Sequence, residues 1–255
     1  YQSATLRGAA AKIDALLLRE YLKQGHAVPA PRPSSAVGGG YTAVFQRGVA
    51  RPVLHVDVTS LYPSLMLSRK IAPASDALGV FPTLLAHLRD VRVAAKRASQ
   101  TAGVPEERRY LDALQQTFKI LINAFYGYLA FANGHWNDSD AANRVTAEGR
   151  RIVGAIIDQL RAIGATPLEA DTDGVYFVPP AGAPPDDALL ATIADGLPAG
   201  IHLELDGRYV AMLSYKMKTY ALLDAGGRVN LRGSAFRSRG LEPFQRRLIE
   251  EIVGL

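Results

Sequence analysis

The chain has 255 residues, 48% of them hydrophobic, a formal net charge of +5 and no cysteine. It is long enough for one large domain or two modest ones. The absence of cysteine excludes disulfides and thiolate metal sites, and no stretch of about 18 or more residues is apolar throughout, which predicts a soluble protein without a membrane span.

The basic charge favours a polyanionic partner, although many basic proteins bind no nucleic acid. The sequence begins at Tyr1 without a methionine or a signal peptide. We therefore expect a processed or excised piece of a longer protein.

The first predicted element is an amphipathic helix over residues 12–23, because its apolar residues recur at helical spacing. A proline-rich segment follows and leads into Gly38-Gly39-Gly40-Tyr41, a loop with unusual backbone freedom. This loop is either a plain linker or a backbone that approaches a phosphate or base closely, with Tyr41 available for stacking.

Residues 53–64 read VLHVDVTSLYPS and predict a buried strand that ends at Asp57, followed by a turn closed by Pro63. A charge at the end of a buried strand is costly unless something compensates it. Asp57 either caps the next turn or shares a cation with a second acidic segment, EADTDG at residues 169–174. If the two segments meet, their oxygen ligands suit a hard cation.

After this strand we expect a short helix over residues 65–71 and then an antiparallel helical pair over residues 78–99 and 105–125. Each helix of the pair carries polar side chains on one face: Arg89, Arg92 and Lys96 on the first, and Lys119, Asn123 and Tyr126 on the second. Such faces are usually just solvated, but two that face each other would form a cationic slot for a triphosphate.

The second half of the chain predicts a long helix over residues 140–163, a hairpin over 168–178 and a short helix over 187–197. Asp171-Thr172-Asp173-Gly174 forms the tip of the hairpin, where two carboxylates repel each other unless a cation lies between them. Alternating residues predict antiparallel strands over 203–209, 212–223 and 228–232. A final helix begins near Leu241.

Three of these segments, taken in order, resemble the motifs of family B DNA polymerases. Residues 57–64, DVTSLYPS, look like motif A; residues 119–127, KILINAFYG, resemble motif B; and residues 170–174, ADTDG, resemble motif C in the form typical of hyperthermophilic archaeal members. Met217-Lys218-Thr219-Tyr220 is similar to the K-K-x-Y motif, and Arg92 with Lys96 to the R-x-x-x-K pair of the fingers. The resemblance runs from about Ile13 to Phe244.

The resemblance implies an α+β fold: a polymerase palm with an antiparallel sheet and a helical-hairpin fingers subdomain. It assigns residues 1–77 and 128–240 to the palm, 78–127 to the fingers and 241–255 to the start of a thumb that is largely absent, with no exonuclease domain. The chain departs from the family pattern at Ala124, Met217 and Thr219, where the motifs have serine, lysine and a basic residue. Val37-Gly38-Gly39-Gly40 stands where the family has Y-x-G-G.

The implied activity is template-directed DNA synthesis from dNTPs on primer–template DNA, in the cytoplasm at the nucleoid and with two Mg²⁺ ions, or Mn²⁺ in their place. The implied metal ligands are Asp57, Val58 through its carbonyl, and Asp173; the catalytic residues add Asp171, which tunes the site, and Lys119, which protonates the leaving pyrophosphate. The nucleotide-binding residues are Arg92, Lys96, Lys119, Asn123, Tyr62, Leu61, Ser60 and Tyr126, with Tyr62 as the gate against a 2′-hydroxyl. The DNA-binding residues are Lys218, Tyr220, Gly39, Gly40 and Tyr41, and Glu204 is an auxiliary carboxylate.

Two other interpretations stay open at this point. A polymerase-like nucleic-acid-binding module, or an inactive fragment of a larger polymerase, would keep the fold but have little chemistry of its own. A two-metal nuclease would share the ion chemistry but leaves the cationic face of Arg92, Lys96 and Lys119 unexplained.

Overall fold

The computed structural model describes residues 8–233 together with the single residues 242, 244, 247 and 251. Apart from those single positions, the predicted final helix near Leu241 and the predicted start of a thumb lie outside the described residues. The chain forms two compact units, residues 1–39 with 60–148 and residues 40–59 with 149–255. The palm and fingers boundaries given by the sequence stay a prediction.

The first unit is helical. Its helices are α1 (Ala9–Lys23), α2 (Leu61–Ser68), α3 (Val80–Thr101), α4 (Pro105–Leu129) and the first part of α5 (Ser139–Ala162). Helices α3 and α4 pack against each other along an antiparallel hairpin, and near its connection the Ser99 hydroxyl donates to Asp112 Oδ1 at 2.5 Å. The predicted helical hairpin is therefore confirmed.

Three of these helices have a proline in the first turn: α2, α3 and α4, the last of which begins at Pro105. The predicted helix at Leu65 begins at Leu61 instead, with Pro63 in its first turn, and α3 begins at Val80 with Pro82 in the same place. The amide groups of a first helical turn have no acceptor within the helix, so proline removes no hydrogen bond there. Proline marks the start of each helix rather than the turn before it.

Aromatic side chains make up the core of the first unit. Trp136, Tyr21, Tyr128, Phe81 and Phe125 are fully buried and pack together with the apolar faces of α1, α3 and α4. Several polar groups in this core are hydrogen-bonded, since an unpaired polar group is costly away from water, whereas Nε1 of Trp136 is buried without a partner among the described residues. Tyr128, for example, donates its hydroxyl to Asp14 Oδ1 at 2.7 Å.

The second unit contains two antiparallel sheets, helix α6 (Asp186–Ala194) and the end of α5. The first sheet has the strand order β1-β4-β5-β3-β6 and the second has the order β2-β7-β8-β9. The strands are β1 (Tyr41–Val44), β2 (Gly48–Ala50), β3 (Val53–Val58), β4 (Thr166–Thr172), β5 (Gly174–Val178), β6 (Leu203–Tyr209), β7 (Ala211–Lys216), β8 (Thr219–Leu223) and β9 (Val229–Arg232). The α+β class with antiparallel sheets is confirmed.

One predicted strand is wrong. Residues 212–223 do not form one strand but a hairpin of β7 and β8, and Met217 and Lys218 make the turn. Lys218 adopts a left-handed conformation with φ of 59°. The alternation of apolar and polar residues continues through this turn without glycine, proline or asparagine, so the sequence carries no signal for it.

Within the described part of the chain, no helix is both long and apolar enough to cross a membrane.

Candidate active site

The end of strand β3 lies beside the turn between β4 and β5. Asp57 pairs with Gly174 of β5 on one side and with Glu204 of β6 on the other. The backbone N–H of Val58 donates to the carbonyl of Asp173 at 2.9 Å. The two acidic segments, distant in the sequence, are therefore neighbours at one end of the first sheet.

The β4–β5 turn has a constrained backbone. Thr172 adopts a φ of 63°, and the Asp173 N–H donates to the carbonyl of Asp171 at 2.7 Å. Gly174 is needed after the turn because a Cβ atom there would collide with Nε2 of His55. Asp171 and Asp173 thus project from a tight turn whose shape is fixed by the residues between and after them.

The environment of this turn makes it unfavourable for Asp57 and Asp173 to be negatively charged at the same time. Burial, reinforced by the nearby Asp173 charge, raises the pKa of Asp57 to about 7. The pKa of Asp173 is also raised, first by burial and then by Asp171. Crowded carboxylates hold protons in this way unless a cation compensates them.

Asp57 also has an unused ligand atom. Its Oδ1 is buried and has no hydrogen-bond partner among the described residues. No group of three or more histidine, cysteine, aspartate or glutamate side chains among those residues has the arrangement of a metal site. Mg²⁺ is commonly held by only one or two carboxylates, with substrate phosphates and water completing its coordination. Asp57 and Asp173 fit that pattern.

Among the ion pairs of the described residues, the one that involves the β4–β5 turn is formed by Lys218. Its Nζ lies 2.6 Å from Oδ1 of Asp171, and its side chain is half exposed. Asp171 therefore has a positive partner, whereas no ion pair is found for Asp57 or Asp173 in the part of the chain that the structure describes.

His55 and Asp206 belong to the same end of the sheet, and no role for them was predictable from the sequence. The His55 ring stacks on Tyr176 at 3.9 Å, and its Nδ1 lies 3.0 Å from Oδ2 of Asp206. Burial lowers the pKa of His55, and Asp206 opposes this effect. Strand alternation places His55 on the face of Asp57, but the pairing of β3 with β6 that brings Asp206 near is not readable from local sequence.

The predicted triphosphate-binding residues lie on the helical hairpin of the first unit. Arg92 is half-buried; its Nη1 lies 3.5 Å from the Ser60 hydroxyl, and its Nε is buried without a hydrogen-bond partner among the described residues. Lys96, Lys119 and Asn123 are exposed. Arg89, by contrast, pairs with Asp90 at 2.9 Å.

Helix α2 carries the predicted sugar-contacting residues. Ser60, which precedes the helix, has a φ of 50°, Leu61 is buried, and Tyr62 is half-buried. The Tyr62 ring packs against Tyr126 of α4, with the ring centroids 4.5 Å apart.

The glycine-rich loop is attached to α5 by a hydrogen bond from its backbone to the side chain of Asn143. The Gly38 N–H donates to Oδ1 of Asn143 at 2.9 Å, Gly39 is exposed, and Gly40 leads into β1. Tyr41 begins that strand opposite Thr172. The expected DNA contacts of Gly39, Gly40 and Tyr41 stay predictions.

Tyr220 lies in the core of the second sheet. The residue is 6% exposed, and its hydroxyl donates to the Tyr176 hydroxyl at 3.2 Å. Of the two predicted primer-binding residues on this hairpin, only Lys218 presents much of its side chain to solvent. A DNA contact of Tyr220 stays a prediction.

Comparisons with known proteins agree on one family. The sequence profile described as DNA polymerase family B matches residues 69–173. The chain is 30% identical to a DNA polymerase of Thermococcus sp. (strain 9oN-7) over 87% of its own length and 33% of that protein. It is also 30% identical to a DNA polymerase of Archaeoglobus fulgidus, over 98% of its own length and 35% of that protein.

A solved structure gives the same result for the fold. The family B DNA polymerase of the hyperthermophilic archaeon Pyrobaculum calidifontis matches with a TM-score of 0.69 and 21% identity, covering 97% of this chain and 38% of that one. The chain thus spans about a third of the length of the curated relatives it matches.

Proposed function

Because the chain belongs to family B of the DNA polymerases, we propose that it carries out template-directed DNA synthesis. A nucleotide would pass from a dNTP to the 3′-hydroxyl of a primer, and pyrophosphate would leave. The α-phosphorus exchanges its bond to the pyrophosphate oxygen for a bond to the primer oxygen, and the hydroxyl proton passes to solvent water.

One observation carries this proposal: the paired ends of β3 and the β4–β5 turn bring the Asp57 and Asp173 segments together. The Val58 N–H to Asp173 carbonyl hydrogen bond, the buried unpaired Oδ1 of Asp57 and its raised pKa support a cation-binding role for these carboxylates. A structural role alone would leave two costly acidic groups without compensation.

The residues present fit magnesium, which Asp57, Asp173 and the Val58 carbonyl would hold. When bound, a pair of Mg²⁺ ions would favour deprotonation of the attacking hydroxyl and neutralise charge on the leaving group. Asp171 adjusts the charge of the site, and its own partner is Lys218. Family B polymerases generally use divalent metals, and Mn²⁺ would fit the same oxygen ligands.

The triphosphate would be bound by Arg92, Lys96 and Lys119. Arginine presents a rigid fork of donors to phosphate, and the buried Nε of Arg92 has a donor left to use. Lysine acts as a point charge and, at Lys119, as the acid that protonates the departing pyrophosphate.

The sugar and base would contact the aromatic pair of the first unit. Tyr62 would exclude a 2′-hydroxyl, and Tyr126 would lie near the new base pair. Asn123 would position the nucleotide, and Ser60 and Leu61 would contact it at the start of α2. The primer–template would be held by Lys218, Tyr220, Gly39, Gly40 and Tyr41. Because the substrate is DNA, the activity would take place at the nucleoid.

Primer extension tests this function directly. The protein is incubated at low salt with a labelled primer–template, Mg²⁺ and all four dNTPs, and the same DNA is titrated in a fluorescence anisotropy assay. We expect template-dependent extension and DNA binding that weakens as salt rises. Binding without extension would instead identify a nucleic-acid-binding module, and cleavage of the DNA without added nucleotides would identify a nuclease.

A further inference from the structure

Glu169 is a fully buried carboxylate in strand β4, with 0% of its surface exposed. Both of its oxygens accept hydrogen bonds from the β7–β8 hairpin. Oε2 accepts from the Ser214 hydroxyl at 3.1 Å, and Oε1 accepts from the backbone N–H of Lys218 at 2.6 Å. A buried carboxylate is tolerated only when its oxygens are satisfied in this manner.

Lys218 makes a second contact with strand β4, this time through its side chain. Its ammonium group lies 2.6 Å from Oδ1 of Asp171, two residues along β4 from Glu169. Alternate residues of a strand share one face, so Glu169 and Asp171 present their carboxylates to the hairpin turn side by side. The backbone and the side-chain end of Lys218 are thus fixed to neighbouring positions of β4.

The turn depends on this attachment. Lys218 has a left-handed backbone with φ of 59°, a conformation that is unfavourable for a residue other than glycine unless its surroundings enforce it. Within the described turn, the Glu169 carboxylate supplies the acceptor for the Lys218 N–H. Loss of that acceptor frees the backbone of Lys218 to leave the conformation that directs its ammonium group toward Asp171.

We infer that Glu169 is a positioning residue, which fixes the β7–β8 turn so that Lys218 is held ready to contact the primer strand. This inference rests on the proposed function, in which Lys218 binds DNA. Glu169 contacts neither substrate nor metal in this account and acts only through Lys218. Its role is therefore in DNA affinity and not in nucleotide binding.

The test compares three variants of the whole chain. Glu169→Leu removes both acceptors at similar volume, whereas Glu169→Gln keeps a carbonyl oxygen for the Lys218 N–H and an amide that donates to the Ser214 hydroxyl. Leu168→Ala is the control, since Leu168 is a buried core residue of the same strand whose packing cluster does not include Met217 or Lys218. The readouts are the Kd for primer–template DNA, the KM for dNTP and the hydrogen exchange of the Lys218 amide.

We expect Glu169→Leu to raise the Kd for DNA about tenfold, the effect of losing one well-placed charged contact, and to leave the KM for dNTP unchanged. Its Lys218 amide should exchange faster than in the wild type. In Glu169→Gln the Kd for DNA and the exchange rate of the Lys218 amide should stay close to those of the wild type. Leu168→Ala should lower the Tm without changing the Kd or that exchange rate. In a Lys218→Ala background Glu169→Leu should weaken DNA binding no further, because both changes remove the same contact.

The inference is overturned if Glu169→Leu binds DNA like the wild type, if Leu168→Ala weakens binding equally, or if the effects of Glu169→Leu and Lys218→Ala add. An unchanged exchange rate of the Lys218 amide in Glu169→Leu would overturn it without any DNA. A wild-type protein that binds no primer–template would contradict the proposed function instead, so the two failures are distinguishable.

Discussion

The rings of Tyr62 and Tyr126 lie against each other, with centroids 4.5 Å apart and planes inclined by 46°. The first ring comes from α2 and the second from α4, so the packing ties the predicted sugar gate to the motif B helix. A side chain that excludes a hydroxyl by its shape needs such support, because a mobile ring would move aside.

Tyr62→Ala should therefore admit ribonucleotides. We expect the ratio of kcat/KM for dNTP over rNTP to fall about tenfold or more, the scale on which a pocket discriminates by shape. Single-nucleotide incorporation with each substrate measures the ratio. Tyr62→Phe keeps the ring and should keep the discrimination, and an unchanged ratio in Tyr62→Ala would show that another residue excludes the 2′-hydroxyl.

Arg92 should tolerate lysine poorly, despite the equal charge. Its Nε is buried without a partner among the described residues, which suits a second hydrogen bond to phosphate that lysine cannot form. We expect Arg92→Lys to raise the KM for dNTP about tenfold, since a charged hydrogen bond contributes about 1.5–3 kcal/mol. Steady-state kinetics with Arg97→Ala, an exposed position on the same helix, provide the control. Equal KM values for Arg92→Lys and the wild type would remove Arg92 from the triphosphate site.

Thermal stability should depend on pH through Asp57. Burial and the Asp173 charge raise its pKa in the folded protein from 3.8 to about 7, so between these values the folded protein binds more protons than the unfolded chain. The free energy of unfolding therefore falls as the pH rises from about 4 to about 7. Solvent screening at the partly exposed carboxylate makes this fall in the free energy of unfolding smaller.

Magnesium should reverse the effect, because it binds the deprotonated carboxylate. We expect Mg²⁺ to raise the Tm more at pH 8 than at pH 5, compared with samples in EDTA. In Asp57→Asn both the pH slope and the magnesium effect should shrink. A Tm that rises with pH in EDTA, or an equal magnesium effect in Asp57→Asn, would contradict the assignment of the raised pKa to Asp57.

The buried network around Asp14 should contribute strongly to stability. Asp14 accepts hydrogen bonds from the Tyr128 hydroxyl at 2.7 Å and the His135 N–H at 2.9 Å, and its Oδ2 lies 2.8 Å from His135 Nδ1. Asp14→Ala leaves the fully buried Tyr128 hydroxyl without its acceptor, which costs about 1–3 kcal/mol.

Urea unfolding measures this loss as a lower midpoint. Asp14→Asn keeps one acceptor oxygen and should lose less. Asp90→Ala removes an exposed pair with Arg89 and should change stability little. Equal midpoints for Asp14→Ala and Asp90→Ala would show that the network adds nothing to the fold.

Local patterns predicted most of the elements in the described chain. The helical spacing of α1 and α5, the helical hairpin and the β4–β5 turn are all visible in the sequence, since each depends on residues a few positions apart. The two acidic segments were also visible as carboxylates beside buried strands. Their pairing was a hypothesis, because strand order is set by contacts between distant parts of the chain.

The features that could not be predicted from the sequence depend on contacts between residues that are far apart in the chain. The β7–β8 turn lacks the usual turn residues and is instead fixed by Glu169 from another sheet. His55 became informative only when β6 placed Asp206 beside it. Glu169 belongs to an acidic segment, but no role for it follows from the sequence, because nothing local shows that Ser214 and Lys218 lie against it.

The measurement that tests the account most directly is primer extension by Asp57→Asn and Asp173→Asn, with DNA binding followed in the same samples. Both variants should bind primer–template and keep the wild-type Tm or exceed it, while kcat falls about a thousandfold or more, because metal-ion stabilisation supplies several kcal/mol. Asp158→Asn, an exposed aspartate on α5, should extend primers normally. Extension by either Asp57→Asn or Asp173→Asn at the wild-type rate would contradict the shared metal site.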